Sequence, residues 1–469
     1  MTINNCLKLV QLDLSATTDI TTLFSHITER PWSILLDSSN SEHSDGRYDI
    51  IAANPVISIT TKDKVSCIQD HQTNDISLSK QNPLELIEHY QNELLSQAQL
   101  SQEAESSELP FLCGALGYWG YDLGRRFEKL PSLSSNQYSS PDMAIGIYSW
   151  SIIKDNKHGQ WFLSYVEGLP YPGIDQVNTW AENALAQSCE FELQEDWQSN
   201  LSEDKYLSSI ERIKQYLVDG DCYQVNMTQR FSAPYSGCEW RAYQALRQKN
   251  KAPFSAFIKL PESTILSVSP ERFLSIKDGM VETKPIKGTR PRHADEAVDL
   301  EEAQSLKQSE KDRAENLMIV DLLRNDLSKS CAPGSVKVPS LFEIESFPAV
   351  HHLVSKVTGQ LKEGVSAVKL LQGAFPGGSI TGAPKIRAME IIEELEPDRR
   401  NIYCGSIGYI GIRGDADTSI CIRTLLCENQ TIYCWAGGGI VLDSVPELEY
   451  QECHHKVSKI LPILRQSNT

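Results

Sequence analysis

Lys287 is a candidate nucleophile. It lies in residues 281–292, between an apolar Pro-Ile pair and a Gly-Thr turn. Desolvation by such neighbours lowers the pKa of a lysine and frees its lone pair for attack. At the usual pKa only about one lysine in a few thousand is neutral at pH 7, so catalysis requires this depression. The alternative is an exposed basic loop, the ordinary place for charged residues.

Four glutamates could supply an acid or hold a cation. Glu315 lies in the apolar helical stretch 313–321, where an ionised carboxylate requires a cation or a metal. Glu449, Glu452 and Lys456 share a helix face, and a solvated stripe with a Glu452–Lys456 salt bridge is the simplest explanation. Glu271 follows a strand and a proline, which suits either an exposed turn or a general acid.

Glycine loops and cations could hold an anion. Residues 376–385 are glycine-rich and lead into a helix, whose first backbone N–H groups attract anions. They do not form a Walker A loop, because Ala383 stands where that motif needs lysine. The glycines at 437–439 permit a second close backbone approach, and Arg423 could bind a carboxylate through two hydrogen bonds. His352, beside an apolar run, suits either a core position or a site.

The elements that must position these residues indicate an α+β fold. Ser202 and Gly220 are the predicted N-cap and end of one helix, and residues 222–231 alternate as a strand. The polar face of that strand, with Gln224, would point either into a site or into solvent. Further strands are predicted at 263–269, 403–412, 418–427 and 431–436, and further helices at 297–327, 366–371, 385–395 and 447–461. The predicted strands neighbour one another and the helices are separate from them, which argues against a regular βαβ alternation.

Composition excludes several classes of protein. The 469 residues carry a net charge of -18, which disfavours nucleic acid and anionic membranes as partners. The first residues lack a signal peptide, and no run approaches the roughly 20 apolar residues of a membrane span. We therefore expect a cytoplasmic protein whose cysteines are reduced.

The run at 285–292, Pro-Ile-Lys-Gly-Thr-Arg-Pro-Arg, resembles the signature loop of the chorismate-utilising enzymes. The likeness extends over nearly the whole chain and is densest from about 200 to 457. It implies antiparallel sheets packed as an orthogonal sandwich with helices outside. Residues 1–195 would form an N-terminal region of the shared sandwich, and residues 200–460 the chorismate-binding catalytic region.

The resemblance also implies a role for each candidate residue. Glu315 and Glu452 match the two principal Mg²⁺ ligands, and Mg²⁺ commonly takes one or two protein carboxylates. A metal clamp would let this acidic chain hold chorismate, a dianion. Glu271 matches the acid that assists departure of the ring hydroxyl, and motif register favours His352 over His351. The residues expected to contact or enclose the substrate are Thr289, His352, Ser379, Tyr403, Arg423 and Gly438.

Two positions favour one chemistry within the family. Gln224 stands where water-adding members carry a lysine that activates water, and a neutral amide cannot deprotonate water. Lys287 stands where anthranilate-forming members usually carry alanine. The pair favours members that aminate chorismate to 4-amino-4-deoxychorismate through a covalent lysine intermediate. Anthranilate formation is one alternative, and a non-catalytic, chorismate-binding regulatory relative is another.

The resemblance implies two further partners. Cys113 lacks the Gly-x-Cys-x-Gly setting of a glutaminase nucleophile, so ammonia should come from a separate glutamine amidotransferase subunit. Residues 35–38, Leu-Leu-Asp-Ser, resemble the Leu-Leu-Glu-Ser stretch that lines a tryptophan site in relatives. For Ser38, a tryptophan site and an ordinary buried strand end both remain open.

Overall fold

The computed structural model describes residues 6–39, 43–95, 98–185, 190–347 and 350–465. It confirms the predicted α+β class, because nearly all strands pair antiparallel within two large sheets. None of the helices in these residues combines the length and apolar character that a bilayer crossing requires.

The strands are numbered along the chain and have the following bounds: β1 Cys6–Leu12, β2 Ser33–Asp37, β3 Tyr48–Ala52, β4 Ile57–Lys62, β5 Val65–Asp70, β6 Ile76–Ser79, β7 Gln99–Leu100, β8 Gly114–Trp119, β9 Met143–Tyr148, β10 Trp150–Asp155, β11 Gln160–Val166, β12 Phe191–Leu193, β13 Gln198–Ser199, β14 Gln224–Gly237, β15 Phe254–Lys259, β16 Thr264–Ser269, β17 Arg272–Lys277, β18 Met280–Thr283, β19 Ile286–Pro291, β20 Lys337–Ser346, β21 Val350–Gln360, β22 Gly382–Ala383, β23 Ser406–Gly411, β24 Ala416–Ile420, β25 Thr424–Glu428 and β26 Thr431–Ile440.

The α-helices are α1 Ile20–Phe24, α2 Pro83–Leu95, α3 Gln102–Ser106, α4 Ile174–Glu182, α5 Glu203–Asp219, α6 Glu239–Asn250, α7 Glu296–Gln308, α8 Glu310–Ser330, α9 Ala367–Ala374, α10 Lys385–Leu395, α11 Pro446–Val457 and α12 Leu461–Arg465. Short 3₁₀ turns cover Tyr121–Arg126 and Gly378–Ile380.

Both halves of the chain contribute to both sheets. The first sheet has the order β12-β14-β26-β25-β16-β15-β2-β3-β10-β11-β1-β7, and β13 and β22 pair with β14. The second has the order β19-β21-β18-β17-β24-β23-β8-β9-β4-β5-β6, and β20 pairs with β21. In the first sheet Leu35 of β2 lies opposite Phe257 of β15. The N-terminal and C-terminal regions therefore share continuous sheets.

The alternating pattern of β14 positions a buried polar face. Val225 and Met227 are fully buried in an apolar core, as period-two alternation predicts. On the opposite face Gln224, Asn226 and Thr228 are only 0%, 7% and 2% exposed. The solvent-facing alternative for this strand is therefore wrong.

The predicted strand at 418–427 is two strands in different sheets. β24 belongs to the second sheet and β25 to the first, and the chain passes between them at Arg423, whose φ of 52° is left-handed. Glu271 lies at a similar crossing from β16 to β17. Hydrogen bonds link the crossings, from Ile420 N to Glu271 O (3.0 Å) and from Val268 N to Arg423 O (3.1 Å). Two distant segments thus bring an acid and a cation together.

The helices also refine the prediction. Ser202 caps α5 and left-handed Gly220 ends it, as expected. The single helix predicted at 297–327 is instead α7 and α8, because Ser309 leaves the helical conformation and its side chain accepts from Asp312 N. Tyr403 lies in the turn before β23, so its predicted place on a strand is wrong.

Candidate active site

Ser379 joins Lys287 to Glu271. The Lys287 ammonium donates to the Ser379 carbonyl oxygen at 3.0 Å, while the Ser379 hydroxyl donates to the Glu271 carboxylate. Lys287 extends from β19, Glu271 lies at the β16–β17 crossing, and Ser379 is in the 3₁₀ turn after α9. The glycine-rich loop therefore connects the predicted nucleophile and the predicted acid.

The environment shifts the pKa values of this pair toward each other. Burial lowers the pKa of Lys287, and the carboxylates of Glu315 and Glu271 only partly oppose that effect. Burial also raises the pKa of Glu271, against the influence of Lys287 and Ser379. Neutral lysine and protonated glutamate are thus favoured relative to free side chains, as a nucleophile and a general acid require.

Arg423 approaches this pair without a bonded partner. Its guanidinium donates no hydrogen bond to any residue in the described part of the chain, and Glu271 is its only favourable electrostatic neighbour there. Burial lowers the pKa of Arg423. A desolvated guanidinium with open donors is suited to grip a carboxylate of a ligand.

His352 and Thr289 face the same side. Thr289 Oγ1 lies 2.9 Å from His352 Nδ1 across the β19–β21 pair. Burial and the nearby Arg423 charge lower the pKa of His352 to about 3, so its ring is neutral. His351 points elsewhere, with Nε2 3.0 Å from Asp299 Oδ1. The preference for His352 over His351 therefore agrees with the orientations of the two rings.

Three carboxylates from two helices lie together, and two of them, Glu315 and Glu452, act on the pKa of Lys287. Glu315 is on α8, while Glu449 and Glu452 are on α11, and a Cβ placed at Gly438 would be 3.3 Å from Glu449 Oε2 and 3.6 Å from Glu452 Oε1. Burial raises the pKa of Glu315, whereas Lys456 lowers that of Glu452. Gly438 thus lies directly against the α11 carboxylates and leaves open the space that a side chain would fill.

These carboxylates are a chemically suitable donor set for Mg²⁺, although they do not form a complete cage. In the described residues no group of three or more His, Cys, Asp and Glu side chains is arranged to hold a metal. Mg²⁺ commonly takes one or two carboxylates and completes its shell with water and substrate. Burial, with Asp312 and Glu449, raises the pKa of Glu315 against Lys287 and Lys311, so negative charge at this position is only partly compensated. The residues present fit such an ion.

Gln224 adds an unsatisfied polar group. Its side chain is fully buried, and neither amide atom has a hydrogen-bond partner in the described residues. A Cβ at position 439 would lie 2.1 Å from Gln224 Nε2, so only glycine leaves room for this side chain. A buried amide without partners is uncommon and is consistent with a ligand that would satisfy it.

Tyr403 stands apart from the other candidates. Its ring is buried and stacks on Trp435 at 5.9 Å, and burial raises the pKa of its hydroxyl. Among the described residues, Tyr403 makes no hydrogen bond or ring contact with Lys287, Glu271 or Arg423. The alternative of an edge-strand tyrosine is wrong, because the residue is in a buried turn, and its expected contact with the substrate stays a prediction.

Ser38 lies next to a cavity without lining it. A cavity of about 260 Å³ is lined by Leu36 and Asp37, together with Asp45, Arg272 and other residues. Ser38 itself is buried, its N donates to Asp49 Oδ1 at 2.7 Å, and its hydroxyl accepts from Asn156 at 3.1 Å. The Leu-Leu-Asp-Ser stretch therefore reaches a cavity, while Ser38 bonds to the side chains of Asp49 and Asn156.

Sequence reasoning missed the part played by Lys311 and gave Lys456 only a surface role. Lys456 makes the predicted salt bridge to Glu452 at 2.7 Å, but it also influences the pKa values of Lys287 and Glu271. Lys311 contacts Glu315 from the preceding turn of α8. The i,i+4 spacing of both pairs was the available signal.

Comparison with known proteins identifies the family. Residues 34–462 match the family model described as chorismate binding enzyme. The chain belongs to the chorismate-binding enzyme family. Aminodeoxychorismate synthase component 1 of Escherichia coli K12 is 48% identical over 444 residues, 94% of this chain and 95% of the relative.

Other members of the chorismate-binding family match over similar lengths. Aminodeoxychorismate synthase component 1 of Klebsiella aerogenes is 49% identical over 93% of this chain and 95% of its own length. The crystal structure of anthranilate synthase component I from Streptococcus pneumoniae TIGR4 superposes with a TM-score of 0.75 at 30% identity. That match covers 89% of this chain and 93% of the other.

Proposed function

We propose that this chain is the component of an aminodeoxychorismate synthase that converts chorismate and ammonia to 4-amino-4-deoxychorismate. The product would supply 4-aminobenzoate and folate synthesis. The observation that carries the proposal is the convergence of Lys287 and Glu271 on Ser379, with opposite pKa shifts. The relatives at 48% and 49% identity support the same activity.

The proposed reaction proceeds in two displacements. Neutral Lys287 attacks ring carbon 2, the ring double bonds shift, and the carbon-4 hydroxyl leaves as water with a proton from Glu271. Ammonia then attacks carbon 4, the bond from carbon 2 to Lys287 breaks, and the Glu271 carboxylate takes the excess proton. The net reaction replaces one hydroxyl by one amino group and releases water. Covalent catalysis of this kind divides one difficult substitution into two easier steps.

The surrounding side chains would bind and orient the substrate. Arg423 would pair with one carboxylate, and Thr289, neutral His352 and Gly438 would enclose the ring. Glu315 and Glu452 would hold Mg²⁺, which when bound supplies positive charge to a substrate carboxylate. Gln224 presents a neutral amide, which cannot act as a base toward water.

Ammonia is proposed to come from a separate glutamine amidotransferase subunit. Burial raises the pKa of the Cys113 thiol, which donates to Ser149 O at 3.1 Å, so this cysteine is unsuited to attack glutamine. The word component in the names of the relatives supports a partner chain. Tryptophan is the proposed occupant of the cavity beside residues 36 and 37. Stabilisation against heat by millimolar tryptophan would support this occupant, and an unchanged midpoint would contradict it.

Anthranilate synthesis is the second candidate, because the similar crystal structure has that name. It would release pyruvate and give an aromatic 2-amino acid. The lysine at position 287 favours the first candidate. A non-catalytic relative is disfavoured because nucleophile, acid and carboxylates lie together.

The test is product analysis of the purified chain with chorismate, Mg²⁺ and ammonium at mildly alkaline pH. We expect aminodeoxychorismate by chromatography and mass spectrometry. Anthranilate with pyruvate would move the chain to the second candidate, and isochorismate would contradict the role of Gln224.

A further inference from the structure

Two lysines hold the three carboxylates of the candidate site. Lys311 Nζ lies 4.0 Å from Glu315 Oε1 and 3.8 Å from Glu449 Oε1, so it connects α8 to α11. Lys456 Nζ lies 2.7 Å from Glu452 Oε1 and donates to Gly437 O at 2.9 Å. A cationic bridge therefore joins the two helices that carry the carboxylates.

This arrangement differs from a row of surface salt bridges. An ordinary i,i+4 pair neutralises one carboxylate on one helix, whereas Lys311 also reaches Glu449, whose side chain is only 6% exposed. Ser444 Oγ donates to the same Glu449 oxygen at 2.7 Å. The two ammonium groups together carry the charge of one divalent cation.

We propose that Lys311 and Lys456 are built-in counter-ions that hold Glu315, Glu449 and Glu452 together until a divalent cation displaces them. The side chains of these lysines are 53% and 43% exposed, so both ammonium groups can turn toward solvent while their helices stay in place. The inference rests on the proposed function, which assigns the cation to Glu315 and Glu452.

Displacement makes the lysines competitors of the metal. An exposed ion pair contributes modestly, so removal of one lysine should tighten cation binding by about two- to fivefold. Removal of both should tighten it further, because Lys287 would then be the remaining cation that acts on Glu315 and Glu452 among the described residues. The same variants should be less stable when no metal is present, since the carboxylates repel one another across α8 and α11.

The experiment is titration of the full-length chain with Mn²⁺, followed by electron paramagnetic resonance without chorismate. The variants are Lys311→Gln, Lys456→Gln and their combination. Lys307→Gln is the matched control, because Lys307 is also 53% exposed and pairs with Glu343 at 3.3 Å. We expect tighter Mn²⁺ binding in the first three variants and unchanged binding in the control. Glu452→Gln should weaken binding and thereby locate the ion.

Thermal unfolding separates this effect from misfolding. In EDTA the two lysine variants should unfold at lower temperature than the wild type, and excess Mn²⁺ should remove the difference. Equal or weaker Mn²⁺ binding in both lysine variants, with wild-type unfolding in Mn²⁺, would overturn the inference alone. Absence of Mn²⁺ binding in every chain would overturn it together with the proposed metal site.

Discussion

Two clusters of charge are built from neighbouring positions of the chain, and their charges are paired in opposite ways. The first, the cavity cluster, surrounds Arg272 and Lys284 beside the cavity that Leu36 and Asp37 line. The second, the active-site cluster, surrounds Glu271 and Lys287. Arg272 directly follows Glu271 in the chain, and Lys284 precedes Lys287 by three residues. One residue before β17 and three residues at the start of β19 thus separate two electrostatic environments.

In the cavity cluster every charge has a close partner. Arg272 binds both oxygens of Asp417 at 3.0 Å and Asp45 Oδ1 at 2.8 Å, while Lys284 also reaches Asp45. Burial opposes the charge of Arg272, but Asp417 and Asp45 outweigh it and raise the pKa of the guanidinium. The cluster therefore ties together β17, β24 and the segment at Asp45.

In the active-site cluster the Arg423 guanidinium lacks such a partner, whereas Lys287 and Glu271 each form a hydrogen bond with Ser379. Burial lowers the pKa of Arg423, the reverse of the shift at Arg272. Buried charge that is left uncompensated costs stability and is found where a ligand supplies the missing partner. In this molecule the pairing of a charge, more than its burial, distinguishes a structural charge such as Arg272 from a charge available to a ligand such as Arg423.

The largest expected effect is on activity at Lys287. Lys287→Ala removes the nucleophile and should lower kcat/KM for ammonium-dependent amination by roughly a thousandfold or more. Lys284→Ala, its matched control in the cavity cluster, should change it by less than about tenfold. Initial rates with chorismate and ammonium measure both. Comparable losses in the two variants would remove the functional distinction between the clusters.

Arg272→Ala should have the largest effect on stability. It leaves Asp417 without its partner and Asp45 with Lys284 but not Arg272, and loss of one member of a buried pair costs about 3–5 kcal/mol. Chemical denaturation with urea measures this change in the free energy of unfolding. A loss below about 1 kcal/mol would contradict the structural assignment of the cavity cluster.

Arg423→Gln should weaken chorismate binding with little loss of stability. The guanidinium donates no hydrogen bond to the described chain, so its removal leaves no partner unpaired there. Loss of hydrogen bonds to a substrate carboxylate should raise KM by roughly ten- to a hundredfold. Steady-state kinetics and urea denaturation of the same preparation test both statements. An unfolding loss as large as that of Arg272→Ala would contradict them.

The smallest effects concern the pH dependence of stability. The pKa of Glu271 is raised in the folded chain, so its ionisation costs stability as pH rises through that value. Glu271→Gln should therefore be more stable than the wild type at neutral pH, and the gain should vanish below the unfolded pKa.

For Asp45 the expected change of stability with pH has the opposite sign. Burial alone would raise its pKa, but Arg272 and Lys284 lower it, so its charge contributes stability above the unfolded pKa that is lost as pH falls through the folded value. Asp45→Asn should be less stable at neutral pH. Unfolding midpoints of both variants between pH 4 and 8 test the signs, and shifts of the same sign at neutral pH would contradict the comparison.

Local sequence patterns predicted many individual elements. The cap at Ser202, the end at Gly220, the alternation in β14 and the Glu452–Lys456 salt bridge all follow from interactions within a few residues. Such features depend on helix and strand periodicity, which the order of residues contains directly. The resemblance of residues 285–292 to a known signature added the expected chemistry.

Periodicity could not locate the sheet crossings. Residues 418–427 have the composition of one strand, yet the chain changes sheets at Arg423. Ser309 similarly divides a helical pattern because its side chain caps the second helix. Both breaks depend on where the neighbouring segments pack. A pattern that is judged over ten or more residues does not reveal a break at one of them.

By itself, the sequence determined the class of the fold, the family signature and the identity of the groups that can react. Only the tertiary structure decided which of those groups meet: Glu271 with Lys287 through Ser379, Lys311 with Glu449 across two helices, and Tyr403 with Trp435 in the core. The reason is physical. Local periodicity acts over a few residues, whereas burial and charge pairing depend on segments that lie far apart in the chain.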